Sequence, residues 1–96
     1  MNLILALFHQ IAVDNILPVV ACINDITQTA GPNTGGAVVS WIEPIATDNS
    51  GSVSLIARNR APGQFFVVGS TEVTYRFADN SGNAASCTFS VIVVEG

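Results

Sequence analysis

An all-β domain, an antiparallel β-sandwich of about seven strands, is what the sequence predicts, and three observations carry that expectation. From Leu17 onward apolar residues recur at the short period of strands, and no stretch has the longer period of an amphipathic helix. Clusters of Gly, Pro, Asn and Ser punctuate the pattern at intervals suited to antiparallel hairpins. Of the 96 residues 49% are hydrophobic and 10% charged. Charge in an average soluble domain is roughly 25%, so many side chains face inward and disorder is not expected. A chain of this length has room for one core.

Residues 1–13 are read apart from the rest. The apolar run 3–8 is too short to cross a bilayer, which takes about 20 residues. As a signal peptide it lacks a basic start and a small-x-small cleavage site. Residues 8–14 (FHQIAVD) loosely echo residues 89–95 (FSVIVVE). The segment is a leader, the remnant of a signal or the tail of a preceding repeat, and the domain itself is expected over 14–96.

Strands are expected at 19–22, 26–29, 37–42, 53–57, 65–68, 71–79 and 87–93. Turn chemistry falls between them at Gly31-Pro32-Asn33, Asp48-Asn49-Ser50-Gly51, Pro62-Gly63 and Asp79-Asn80-Ser81-Gly82-Asn83. The clearest alternation is in 71–79, with Val73, Tyr75 and Phe77 on one face and Glu72, Thr74 and Arg76 on the other. The last strand repeats it with Cys87, Phe89, Val91 and Val93 against Thr88 and Ser90. Its end departs: Ile92 and Val94 are apolar on the outer face, either covered by another strand, a neighbouring domain or residues 1–13, or simply exposed. Trp41 shares a face with Val39 and is expected inside, because indole burial is a large apolar gain for a small domain. The expected core is Val39, Trp41, Val53, Leu55, Val73, Tyr75, Phe77, Phe89 and Val91. The Tyr75 hydroxyl is expected to find a partner or reach the edge. Seven such strands suit an immunoglobulin-like sandwich.

Charge narrows the function classes. Three cations, Arg58, Arg60 and Arg76, face seven acids for a net charge of -4, which removes the clustered cations that nucleic-acid binding needs. Cys22 and Cys87 have no His or Cys beside them to complete a zinc set. Their even number in a small Gly- and Ser-rich chain points to a disulfide and an oxidising compartment, the alternative being two buried free thiols. The single histidine, His9, lies in the leading segment, and the acids are scattered, so no catalytic set is expected. Neither an RGD tripeptide nor an N-glycosylation sequon is present.

A family resemblance rests on residues spread along the domain. Asp14, Pro18, Cys22 and Ile26 are followed by Val39-x-Trp41-x-x-Pro44 and by Asp48-Asn49-Ser50-Gly51. Then come Pro62-Gly63-x-Phe65-Phe66, Val68-Gly69-Ser70-Thr71-x-Val73-x-Tyr75, Asp79-x-x-Gly82-Asn83 and Cys87-x-Phe89-x-Val91-x-Val93. In order and spacing these resemble the hyalin repeat (HYR) domain over nearly all of residues 14–96. Ile23 and Val67 stand where that family often has proline, which bears only on the local path of the chain. The resemblance implies an immunoglobulin-like fold, extracellular placement in a secreted, matrix or cell-surface protein, tandem arrangement with sushi, EGF-like or other modules, and a part in cell adhesion. It brings no catalytic residues.

The expected function is accordingly that of a non-catalytic adhesion or interaction module, one repeat of a larger protein. The alternative is a purely structural spacer. In such a topology Cys22 and Cys87 would join the first strand to the start of the last. Expected partners are other extracellular proteins or neighbouring domains, and acidic glycans. Arg58, Asn59 and Arg60 form the one local positive patch, a contact for an acidic partner or sulfated glycan, or else a solvated loop. Asp14, Asp48 and Asp79 are expected at the pole where the chain comes in, as ligands of a calcium ion at the junction with a preceding domain. The other reading has Asp and Asn capping their own turns, with Gly supplying a positive φ. Beyond calcium no cofactor is expected, and the two ends of the domain should leave from opposite poles.

Overall fold

The computed structural model describes residues 16–49 and 51–96. His9, Asp14 and the readings of residues 1–13 lie outside the described residues, as does Ser50. Eight strands follow in order: β1 Val19–Ala21, β2 Ile26–Thr29, β3 Gly36–Val39, β4 Ile45–Thr47, β5 Val53–Arg58, β6 Gln64–Val67, β7 Gly69–Asp79 and β8 Ala84–Val94. One layer is a four-stranded sheet, β2-β8-β7-β5. The other consists of two antiparallel ribbons, β1-β4 and β3-β6, both packed on the same face of that sheet.

Strands β7 and β8 form the centre because their alternation is longest. They pair antiparallel from Gly69↔Val93 to Ala78↔Ala84. Their inward residues Val73, Tyr75, Phe77, Cys87, Phe89, Val91 and Val93 are buried. The ribbons close over them with Val39 and Phe66, both fully buried, and with Val20 and Ala46 at the margin. Each such side chain contributes about 1.5–3 kcal/mol by leaving water. Cys22 and Cys87 are joined in a disulfide with their Cα atoms 5.3 Å apart, tying the end of β1 to the start of β8. Just beyond it the chain crosses from the ribbon layer to the sheet, where the Asp25 carboxylate accepts a hydrogen bond from the Ser90 amide at 2.8 Å.

Four details differ from expectation. Beside β8, strand β2 runs parallel, Ile26↔Val91 to Thr29↔Val94, and it flanks Ile92 and Val94. The strand expected over 37–42 ends at Val39, and an eighth strand, β4, follows the irregular residues 40–44. Pro44 has no N–H to donate to a ladder, and the chain returns to strand only after it, at Ile45. Trp41 therefore lies beyond the strand and is half-buried at the core margin. Leu55, expected inside, is 43% exposed. It sits on the edge strand β5, where the ladder with β7 slips between Leu55 and Ala57. Val53, on the same strand, is half-buried against the core.

The chain enters and leaves at opposite poles. Val19 pairs with Thr47, immediately before the 48–51 turn, and the Asn80 amide donates to the Ser52 hydroxyl at 2.8 Å. These contacts put the start of β1 beside the two Asp-Asn-Ser-Gly turns. At the other pole Ala30 N donates to Val94 O at 2.8 Å and Val68 N to Gly35 O at 3.0 Å. The eleven residues of β7 separate the poles by about 30 Å at roughly 3.3 Å per residue.

Candidate functional site

The residues singled out as sites fall into two groups, one at each end of β5. At its far end Arg58 pairs with Tyr75 of β7 across the ladder, on the inward side. Arg58 makes an ion pair with Glu43, from the irregular segment between β3 and β4. The same Glu43 oxygen accepts the Tyr75 hydroxyl at 2.8 Å, and the Tyr75 oxygen accepts the Trp41 indole N–H at 2.9 Å. Trp41 stands edge-on to Phe66 and Phe89, at 5.8 and 5.4 Å between centroids. A polar chain from indole to guanidinium thus fastens residues 40–44 across the sandwich. Burial pushes the Tyr75 phenol above its ordinary 10.0, and the carboxylate of Glu43 pushes it the same way. The N–H of Trp41 works against them.

Asn59 continues the β5-β7 ladder with its side chain. Its Oδ1 accepts the Thr74 amide at 2.8 Å and its Nδ2 donates to Glu72 O at 2.9 Å. The Arg60 guanidinium lies over the Phe66 ring, 4.6 Å from the centroid. The triplet 58–60 is therefore brought together, but each of its side chains already holds a neighbouring element. Sequence reasoning identified the cations and expected a partner for the Tyr75 hydroxyl, which it has; it missed Glu43, which lies 15 positions from Arg58 and meets it only in the folded chain.

At the opposite end the two Asp-Asn-Ser-Gly turns stand side by side. The Asp79 carboxylate is buried and accepts from Ser81 N and Asn83 N, both at 2.9 Å, through Oδ1, and from Asn83 Nδ2 at 3.0 Å through Oδ2. Gly51 N donates to Asp48 O at 2.9 Å. Gly51 and Gly82 have φ of 75° and 88°, the left-handed region where a Cβ is strained. Turn capping accounts for these features. Among the described residues no three His, Cys, Asp or Glu side chains gather as a metal set. Asp14, the third expected ligand, lies outside the described residues.

Surface chemistry divides by face. The outward side of β7 and β8 carries Glu72, Thr74, Arg76, Ser86, Thr88 and Ser90, with the Thr74 and Thr88 hydroxyls 3.2 Å apart. No helix among the described residues is long and apolar enough to cross a membrane.

The chain is 51% identical to hyalin of Strongylocentrotus purpuratus over 83 residues, 85% of this chain and 7% of that protein. To hyalin of Lytechinus variegatus it is 51% identical over 85 residues, 88% of this chain and 16% of that one. The mouse protein named sushi, von Willebrand factor type A, EGF and pentraxin domain-containing protein 1 is 39% identical over 80 residues. That match covers 81% of this chain and 2% of the mouse protein, so the chain spans a small part of each of these relatives. No solved structure matches it significantly. The HYR domain family matches residues 13–93, and the chain belongs to that family.

Proposed function

We propose that this domain is a non-catalytic extracellular interaction module, one repeat of a longer secreted or cell-surface protein with a part in adhesion. The observation that carries the reading is the match to between 2% and 16% of much longer relatives by a domain whose ends leave from opposite poles. Units of that shape join in series without folding back on one another. The Cys22–Cys87 disulfide suits an oxidising compartment and a small core. The exposed parts of Arg58 and Arg60 are the proposed contact for an acidic partner or glycan. Both groups already have partners, Glu43 and the Phe66 ring, so the contact uses only the parts they leave exposed.

Replacing residues 16–96 in the parent protein by an unrelated sandwich of equal length tests the reading. An interaction module loses cell attachment on replacement, while the protein is still secreted and keeps its length. Attachment that survives replacement assigns the domain the role of a spacer. The same two proteins, titrated with calcium up to about 10 mM, test the proposed ion at the junction: a melting shift confined to the native domain supports it.

A further inference from the structure

At the exit pole the turn between β2 and β3 and the last residues of β8's tail border a cleft of about 210 Å³. Ala30, Pro32 and Val68 line it, together with Asn33, Glu95 and the main chain of Gly96. The turn is fixed by its own bonds: the Thr34 hydroxyl lies 2.7 Å from both Gly31 O and Gly36 O. Asn33 and Gly35 take the left-handed conformation there, with φ of 61° and 76°. Gly96 packs against the Ala30 carbonyl, where an added Cβ would collide with the oxygen. Sites for small molecules measure roughly 300–1,000 Å³, while about 150 Å³ is enough for a benzene-sized group. The cleft therefore suits one or two side chains of a polypeptide. At the entry pole Pro18 is buried, and the Ile16 and Leu17 side chains before it are 57% and 56% exposed. A buried proline thus anchors an apolar pair that the described domain leaves largely uncovered. The sequence relates the two poles. Where residues 8–14 echo residues 89–95, Asp14 stands at the position of Glu95 and Asn15 at that of Gly96, and Ile16 follows directly.

We propose that the exit cleft is the socket for the entry segment of the following repeat and takes up the counterparts of Ile16 and Leu17. The inference rests on the reading of the domain as one repeat in a series, and it names the surface by which neighbours in that series meet. Continuity of the chain selects the occupant. Gly96 is itself part of the lining, and by the spacing of the echo the next two residues are the apolar pair. At no more than about 3.6 Å per residue, both start within about 7 Å of Gly96. Ala30, Pro32 and Val68 offer the pair apolar contact, while Asn33 and Glu95 offer hydrogen-bonding groups to the incoming main chain. Because the tether makes the contact intramolecular, with an effective concentration in the millimolar range, two side chains suffice where separate molecules would need a larger interface. Successive repeats then hold a fixed angle instead of swinging about a free linker.

The full chain extended at Gly96 by a second copy of residues 16–96 reproduces the spacing of the echo and tests the proposal. NMR relaxation of the backbone amides should give both copies one common tumbling time. Compared with the single chain, amide shifts in the leading copy should change around residues 30–35, 68 and 95–96. Leu17→Lys in the trailing copy, and separately Pro32→Glu in the leading copy, should release the two copies to tumble independently. Leu55→Lys, on the edge strand β5, should leave them coupled. An intact Cys22–Cys87 disulfide in each copy verifies that the variants are folded. Independent tumbling of the unaltered tandem overturns the proposal. So does common tumbling that Leu17→Lys and Pro32→Glu both leave intact, and so do shift changes that spare residues 30–35 and 68. The domain-replacement experiment fails separately: coupled copies in a protein whose attachment survives replacement keep the socket and overturn the adhesive reading, and free copies in a protein that loses attachment do the reverse.

Discussion

Tyr75 has a fully buried ring, yet its hydroxyl both accepts from Trp41 and donates to Glu43. Tyr75→Phe leaves an indole N–H and a carboxylate oxygen short of a partner and is expected to cost about 1–3 kcal/mol, measurable by urea unfolding. Burial raises the folded phenol's pKa above 10.0, so the folded state holds that proton more tightly than the unfolded chain does. The resulting stability is fully present below pH 10 and is lost as pH rises through the folded pKa. Melting curves of the wild type should fall in this alkaline window, and those of Tyr75→Phe should lack that component. The neighbouring ion pair counts for less. Arg58 and Glu43 are 38% and 41% exposed, and pairs of that kind contribute at most about 1 kcal/mol.

Strand by strand, what sequence reading can see depends on alternation. Residues 71–79 and 87–93 were legible because polar and apolar positions alternate through most of their length, from Glu72 to Phe77 and from Cys87 to Val91, and the burial of their inward residues came out as expected. In β3 and β6 the runs Val38-Val39 and Phe65-Phe66 are apolar on both faces. Nothing in those runs tells which residue faces the core, and so Phe66 was missed there and the outward apolar surface was not read. The parallel course of β2 has the same period as an antiparallel one and is invisible to pattern. Pro44 was visible, but the early end of the strand expected over 37–42 and the added strand β4 at 45–47 depend on what lies around it. The Asp79 turn was readable locally, because Asp, Gly and Asn each act within their own four residues. Asn59 was read as a binding residue because it lies between two arginines; its two partners lie on β7, 13 and 15 positions on, where no local pattern shows them. Asn59→Ala removes both bonds at the end of an edge strand. It is expected to destabilise the domain by about 1–2 kcal/mol and to speed amide exchange at Thr74 ahead of the rest of β7.

For the molecule as a whole, the poles and the disulfide act together. In the chain-entropy model, closing a loop of 65 residues stabilises the fold by about 4 kcal/mol, so reduction should lower the denaturation midpoint accordingly. The position of the bridge has a mechanical consequence as well. If the domain is a link in a series, tension enters at residue 16 and leaves at residue 96, and the covalent path between them runs from Cys22 directly to Cys87. Residues 23–86 are bypassed, so the oxidised domain can release only the stretches 16–22 and 87–96 when pulled, whatever happens to its hydrogen bonds. A single-molecule force experiment should find an extension of at most about 60 Å per oxidised domain, and about 270 Å once the bridge is reduced, at roughly 3.4 Å per residue. The sandwich then behaves as an inextensible link whose slack is set by one covalent bond, with the compartment's redox state deciding whether the link holds its length.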